Sequence, residues 1–121
     1  MRDGADVSLV RVAALEPSTP GGHWGVDSRF VLRDADRLVF QHCEMAPGGG
    51  AEAHAHEDQD QTFYLLAGTL RVTSGDRDDI TLSAGDALII PAGVPHATVN
   101  GGSDPARYLV LTYPARDRSS P

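Results

Sequence analysis

The chain has 121 residues, a length that suits one domain with a single core and excludes two full-sized domains. Its formal net charge of -7 argues against nucleic acid or an anionic membrane as a partner, because both are negatively charged. No apolar run approaches the roughly 20 residues of a membrane helix, and no basic and apolar export signal begins the sequence. Because a lone Cys43 also fits a reducing compartment, we expect a single cytoplasmic domain over residues 1–121.

Strand signals run through the whole chain, and helical periodicity is nearly absent. In chain order, short runs rich in β-branched and aromatic residues predict strands at 7–14, 30–33, 38–45, 62–67, 69–73, 80–83, 87–90, 97–100 and 108–113. Between them, segments rich in glycine, aspartate and serine predict turns at 47–50, 74–76, 84–86 and 101–103. Short strands at this spacing indicate an all-β sandwich or barrel.

Three histidines have a spacing that is typical of metal ligands. His54 and His56 are two positions apart, so in an extended strand their imidazoles lie on the same side. His96 follows from a distant predicted strand and would complete a set of three nitrogen ligands. The sequence therefore predicts one divalent transition metal, which could be Zn, Fe, Ni, Cu or Mn.

Glycine and proline residues surround these histidines at fixed intervals. The fixed positions are Gly48, His54, His56, Gly68, Gly85, Pro91, Gly93, His96 and Asn100. This pattern resembles the cupin family, whose two signatures read G-x5-H-x-H-x3,4-E-x6-G and G-x5-P-x-G-x2-H-x3-N. The resemblance covers residues 48–100 and implies a jelly-roll barrel, the cupin-type double-stranded β-helix, with the metal inside it.

One position departs from the cupin signatures, because Gln61 stands where the family usually has glutamate. As a fourth ligand, a neutral amide oxygen would leave a divalent ion its full charge, which strengthens its Lewis acidity and disfavours a trivalent state. Gln61 could instead only hydrogen-bond a ligand or a water. Asp60 could take the acidic position, although alternation along the strand turns it to the face opposite Gln61, Phe63 and Leu65.

The predicted strand at 38–45 carries two candidate acid/base residues, His42 and Glu44, on one face. If that face is interior, both lie near the metal, where burial and neighbouring charges can tune their pKa values for proton transfer. If it is exterior, Cys43 and Met45 are inside and the polar pair is solvated. The sequence leaves both arrangements open.

The predicted site favours a metal-dependent enzyme with redox-neutral Lewis-acid chemistry, an isomerase, cyclase or lyase acting on a small oxygenated metabolite. The ligand set resembles that of cupins that linearise unsaturated uronates, and related small cupins are polyketide cyclases. The acidic residue that the uronate enzymes place on their last strand has no counterpart at 109–112. An oxygen-dependent dioxygenase, either flavonol-cleaving or thiol-oxidising, and a non-catalytic small-molecule-binding protein are the alternatives.

The N-terminal segment bears on the quaternary structure. In small cupins an N-terminal strand often pairs with a partner subunit, so the resemblance makes residues 7–15 a candidate interface strand. An ordinary edge strand is the alternative. Because an exposed edge needs cover, we expect a homodimer.

Overall fold

The computed structural model describes residues 5–117, and antiparallel strands make up most of them. A short 3-10 helix (Val12–Ala14) precedes strands β1 (His23–Asp34), β2 (Leu38–His54), β3 (Gln59–Ala67), β4 (Thr69–Thr73), β5 (Ile80–Ser83), β6 (Ala87–Ile90), β7 (His96–Val99) and β8 (Ala106–Pro114). The strand order is β5-β4-β7-β2-β8-β3-β6, with β1 paired to β2. This nearly closed barrel confirms the predicted all-β jelly-roll fold. Within the described residues, no helix is long and apolar enough to span a membrane.

Alternation along β3 shows where the inside of the barrel lies. Phe63 and Leu65 are buried in the core, together with residues such as Met45 and Tyr108 from β2 and β8. Tyr64 and Leu66, which point the other way, are 39% and 42% exposed. The period of two thus separates core from surface on this strand, as the sequence predicts.

The predicted turn at 47–50 is wrong, because these residues lie inside the 17-residue strand β2. Gly48 has φ +82°, so the strand bends there without ending. Before the bend β2 pairs with β8, from Val39 to Met45, and after it β2 pairs with β7, from Gly50 to His54. The glycines therefore carry one strand from one part of the barrel to another instead of reversing the chain.

The predicted strand at 7–14 is also wrong, because the segment is irregular and ends in the 3-10 helix Val12–Ala14. A strand needs a neighbour for its backbone groups, and this segment has none among the described residues. Val7 and Leu9 are 94% and 77% exposed. The proposed interface strand does not form in the single chain, and the homodimer stays a prediction that light scattering can check.

A substitution at Gly50 tests the bend of β2. A Cβ added there would lie 2.7 Å from the backbone oxygen of Thr98, which cannot move without breaking the β2–β7 pairing. We expect Gly50→Ala to lower the free energy of unfolding by about 1–3 kcal/mol in urea denaturation. Gly101→Ala is the matched control, because a Cβ there meets nothing within 4 Å. Equal midpoints for the two variants would contradict this account.

Candidate metal centre

The three predicted histidines meet at the end of β2 and the start of β7. His54 ends β2 and lies directly opposite His96 in the β2–β7 register, and His56 follows two residues later. Their candidate ligand atoms all lie within 4.8 Å of one another. The ring centroids are 4.5 Å apart for His54 and His96, and 5.2 Å apart for His54 and His56. These three side chains could therefore hold a metal ion.

Backbone carbonyl groups set the tautomers of two of these imidazoles. The Nδ1 atom of His54 lies 3.0 Å from the oxygen of Glu52, and that of His96 lies 3.1 Å from the oxygen of Val94. Because a carbonyl only accepts, each Nδ1 carries the proton and each Nε2 has a free lone pair. Such hydrogen bonds orient histidine ligands in metal sites.

Two of the three imidazoles, those of His56 and His96, are also favoured in the neutral form that binds metals. Burial lowers the pKa of His56 below its usual value, and His54 lowers it further. For His96, burial lowers the pKa most; the bond to Val94 opposes this, while His54 and His56 add to it. At pH 7 both rings are therefore available as ligands without first losing a proton.

Gln61 lies on β3 with its side chain buried at 7% exposure. Its Nε2 donates to Oγ1 of Thr112 at 3.0 Å, which leaves Oε1 as the free end of the amide. Within residues 5–117, this Oε1 and the Nε2 of His96 are buried without a hydrogen-bond partner. Unpaired buried acceptors are costly, and a cation would satisfy both. The donor set thus fits a divalent transition metal.

Asp60 does not take the acidic position of the cupin signature. Its side chain is fully buried on the other side of β3 and accepts hydrogen bonds from the backbone of Ala92 and from Nε of Arg116, at 2.9 and 2.7 Å. The bond from Ala92 ties β3 to the turn that precedes His96, and the bond from Arg116 ties β3 to the segment after β8. Asp60 is therefore a structural residue, and Gln61 is the residue of the pair that faces the inside.

A cavity of about 460 Å³ opens beside the histidines, a size typical of small-molecule sites. Val26, Phe63, Tyr108 and Val110 give it largely apolar walls, while His54, His56 and Gln61 form its polar end. The rings of Phe63 and Tyr108 are stacked, with centroids 5.9 Å apart. The cavity suits a molecule with a flat apolar body and a polar end.

His42 and Glu44 do not line this cavity. Cys43 does, and Cys43 and Met45 are buried in the core, so His42 and Glu44 lie on the opposite face of β2. His42 is half-buried there, and its Nδ1 is buried without a hydrogen-bond partner among residues 5–117. His42 faces β1 and β8 neighbours, and Glu44 lines a separate shallow depression. Their acid/base role required an interior position near the metal, and the structure does not place them there.

Two buried groups of the inner wall, Cys43 on β2 and Tyr108 on β8, resist ionisation. Burial raises the pKa of the Cys43 thiol to about 11, against a smaller lowering by the hydrogen bond with Ser28. Burial, and then Cys43, raises the pKa of the Tyr108 phenol. Both groups remain neutral at pH 7, so neither is a ready base.

Sequence reasoning missed four polar residues of the cavity wall; besides Glu52 and Thr98, they are His23 and Gln41. His23 begins β1 and pairs with Ala51, which places its ring centroid 5.9 Å from that of His54. Gln41 reaches the cavity from β2. Neither belongs to a motif, and only the long-range strand pairing could have found them.

Comparison with known proteins agrees with this geometry. The family model described as "Cupin domain" matches residues 41–112. The chain belongs to the cupin family. This cupin is 32% identical over 116 residues to the tetracenomycin polyketide synthase protein TcmJ of Streptomyces glaucescens. The alignment covers 93% of this chain and 77% of that protein. It spans less than half the length of the plant relatives that it matches.

Two solved structures have the same fold. The polyketide cyclase RemF of Streptomyces resistomycificus superimposes with a TM-score of 0.79 at 24% identity, over 95% of this cupin and 89% of that chain. A predicted oxalate decarboxylase of Thermotoga maritima gives a TM-score of 0.80 at 22% identity, over 88% of this cupin and 99% of that chain. At these identities the likeness shows the fold alone.

We expect elemental analysis to find about one divalent transition metal per chain, and little in the His54→Ala/His96→Ala variant, because only one imidazole remains. His42→Ala is the matched control and should keep its metal, since His42 lies outside the cavity. The lowered pKa values of His56 and His96 predict retention somewhat below the ordinary imidazole pKa, with release as the rings protonate at lower pH. Equal metal content in the wild type and the double variant would rule out this site.

Proposed function

We propose that this cupin is a metal-dependent enzyme that performs redox-neutral Lewis-acid chemistry on a small oxygenated metabolite, and that the reaction is a cyclisation or isomerisation of a polyketide-like compound. The observation that carries the proposal is the buried Gln61 Oε1, which has no hydrogen-bond partner in the described part of the chain and lies in the wall of the histidine cavity. The resemblance to TcmJ, a polyketide synthase protein, supports the substrate class.

The residues of the polar end suit this chemistry. A divalent ion bound there would polarise a carbonyl oxygen and make the adjacent C–H bond more acidic. His54, His56, His96 and Gln61 are all neutral donors, so they would leave the positive charge uncancelled. Thr112 fixes the Gln61 amide so that its oxygen, and not its nitrogen, remains free.

The apolar walls position the substrate and exclude water. Phe63 and Tyr108 offer a stacked pair of rings, against which a flat conjugated molecule would pack. Both rings and Val110 line the same cavity as Gln61. A carbonyl group held at the polar end would therefore react in a site of low polarity, where electrostatic effects are stronger.

A proton must also leave the substrate, and His23, which lines the cavity, offers a nitrogen that can accept it. Its Nδ1 lies 2.9 Å from the carbonyl oxygen of Gly21, so Nδ1 carries the proton and Nε2 is the basic nitrogen. Its ring lines the cavity beside His54 and lies outside the close group of three ligands. We therefore assign to His23 the acid/base role for which His42 and Glu44 are the candidates of the sequence analysis.

Exchange of the α-proton of ethyl 2-methyl-3-oxobutanoate in deuterated water, followed by NMR, tests the proposal. We expect Zn-loaded protein to raise the exchange rate at least tenfold above background and Gln61→Glu to reduce this gain about tenfold at equal metal content, since a carboxylate cancels charge. Gln59→Glu makes the same change outside the cavity and should have no effect. Stoichiometric oxygen uptake by Fe-loaded protein, unchanged in Gln61→Glu, would instead favour a dioxygenase.

The role of His23 has its own test. His23→Gln removes the basic nitrogen but can keep a hydrogen bond to Gly21, so we expect a loss of exchange rate of about a hundredfold with metal content unchanged. The exchange rate of His23→Gln should also lose the pH dependence that the wild type shows. A normal profile in His23→Gln would assign proton transfer to another group.

A further inference from the structure

The cavity has a second polar feature away from the histidines, the side chain of Gln41. Gln41 lies on β2 and lines the same cavity as Gln61 and Phe63. In the strand register Gln41 faces Val110 on β8, and Val110 faces Phe63 on β3. Gln41 thus lies two strand spacings, roughly 10 Å, from Phe63 on β3. The Gln61–Thr112 pair lies two residues further along β3 and β8, on the same face of the sheet.

A hydrogen bond to Ser28 fixes the orientation of the Gln41 amide. Its Nε2 donates to Oγ of Ser28 at 2.8 Å, and Ser28 is fully buried. Ser28 lies opposite Cys43 in the β1–β2 register, and its hydroxyl is also hydrogen-bonded to the Cys43 thiol. Ser28 Oγ is therefore the acceptor of the amide N–H, and its burial holds the Gln41 amide in this orientation.

The oxygen of the Gln41 amide is therefore the end that is left for a ligand. Its surroundings are apolar, with Val26, Phe63 and Val110 among the lining residues. An acceptor in such a wall favours a ligand that donates a hydrogen bond, because an apolar atom placed against it would leave it unsatisfied.

We propose that Gln41, positioned by Ser28, is a substrate-binding acceptor that selects hydroxylated aromatic molecules with a hydroxyl group about two rings away from the oxygens bound at the histidine end. The substrate class is then a polycyclic phenol with vicinal oxygens at one end and a hydroxyl donor at the other. The histidine end of this assignment rests on the proposed function, whereas the Gln41 end rests on its own hydrogen bonds.

Two probes that differ by one hydroxyl test the assignment. Naphthalene-2,3-diol carries the vicinal oxygens alone, and naphthalene-2,3,6-triol adds the distal donor. Their dissociation constants are measured by calorimetry on Zn-loaded protein without oxygen. For the wild type we expect the triol to bind about five- to tenfold more tightly, the gain from one neutral hydrogen bond.

Variants at Gln41 assign the gain to its amide. Gln41→Met keeps the volume but removes the acceptor, so the triol and the diol should bind equally well. Gln41→Glu retains an acceptor and should keep or increase the preference for the triol. Gln59→Met, the same substitution outside the cavity, should keep the wild-type ratio. Thermal melting of each variant confirms that it is folded.

The outcomes separate this inference from the proposed function. A triol-to-diol ratio near one in the wild type, or a ratio unchanged in Gln41→Met, overturns the role of Gln41 even if diol binding depends on the metal. A preserved ratio with diol binding that is the same in metal-free protein overturns the histidine end and leaves Gln41 in place. If neither probe binds to loaded protein, both assignments are wrong.

Discussion

The bend of β2 at Gly48 is the constraint on which the site depends. A straight strand could pair with β8 or with β7, but the bent β2 pairs with both, so Gln41 and Cys43 at one end and His54 at the other line one cavity. Asn100, the residue after β7, stabilises the bend, since its backbone carbonyl accepts from the Gly48 nitrogen and its backbone nitrogen donates to the Gly49 carbonyl, both at 2.9 Å. Its side chain also donates to the carbonyl of Met45 at 3.0 Å. The last residue of the second signature is thus explained by strand geometry.

The second requirement is a fixed path for the chain before His96. The turn from Pro91 to Pro95 is bonded to the rest of the barrel at three points. Asp60 accepts from the Ala92 nitrogen, the carbonyl oxygen of His56 accepts from the Gly93 nitrogen at 2.7 Å, and Ser74 donates to the carbonyl oxygen of Pro95 at 2.8 Å. One residue of the first signature therefore bonds directly to the turn that carries the third histidine. This explains why His56, although beyond the end of β2, remains close to His96, with ring centroids 6.2 Å apart.

The parts of the site that sequence reasoning predicted depend on short spacings, and the parts it missed depend on long-range pairing. The H-x-H spacing, the Pro-Ala-Gly-Val-Pro turn and the alternation of Gln61, Phe63 and Leu65 are local, and the structure follows each of them. The face of strand 38–45 could not be assigned, because Gln41 and Cys43 on one side and Phe40 and His42 on the other are equally mixed in polarity. Only the β1–β2–β8 register decides which side is inside. For the same reason the apolar run at 7–14 predicted a strand, whereas the structure pairs this segment with no strand among residues 5–117.

The electrostatics of the cavity connect its two ends. Burial keeps Cys43, Tyr108, His56 and His96 in their neutral forms, and Gln61 and Gln41 carry no charge, although the chain as a whole has a net charge of -7. The carboxylate of Glu52 also lines the cavity but is exposed to solvent. A bound cation would therefore be the dominant charge of the buried wall, and negative charge that develops on a substrate would be stabilised next to it. A neutral acceptor such as Gln41 can orient the far end of the molecule without competing for that charge. Its neutrality matters as much as its position, since a carboxylate there would repel the same developing anion that the histidine end stabilises.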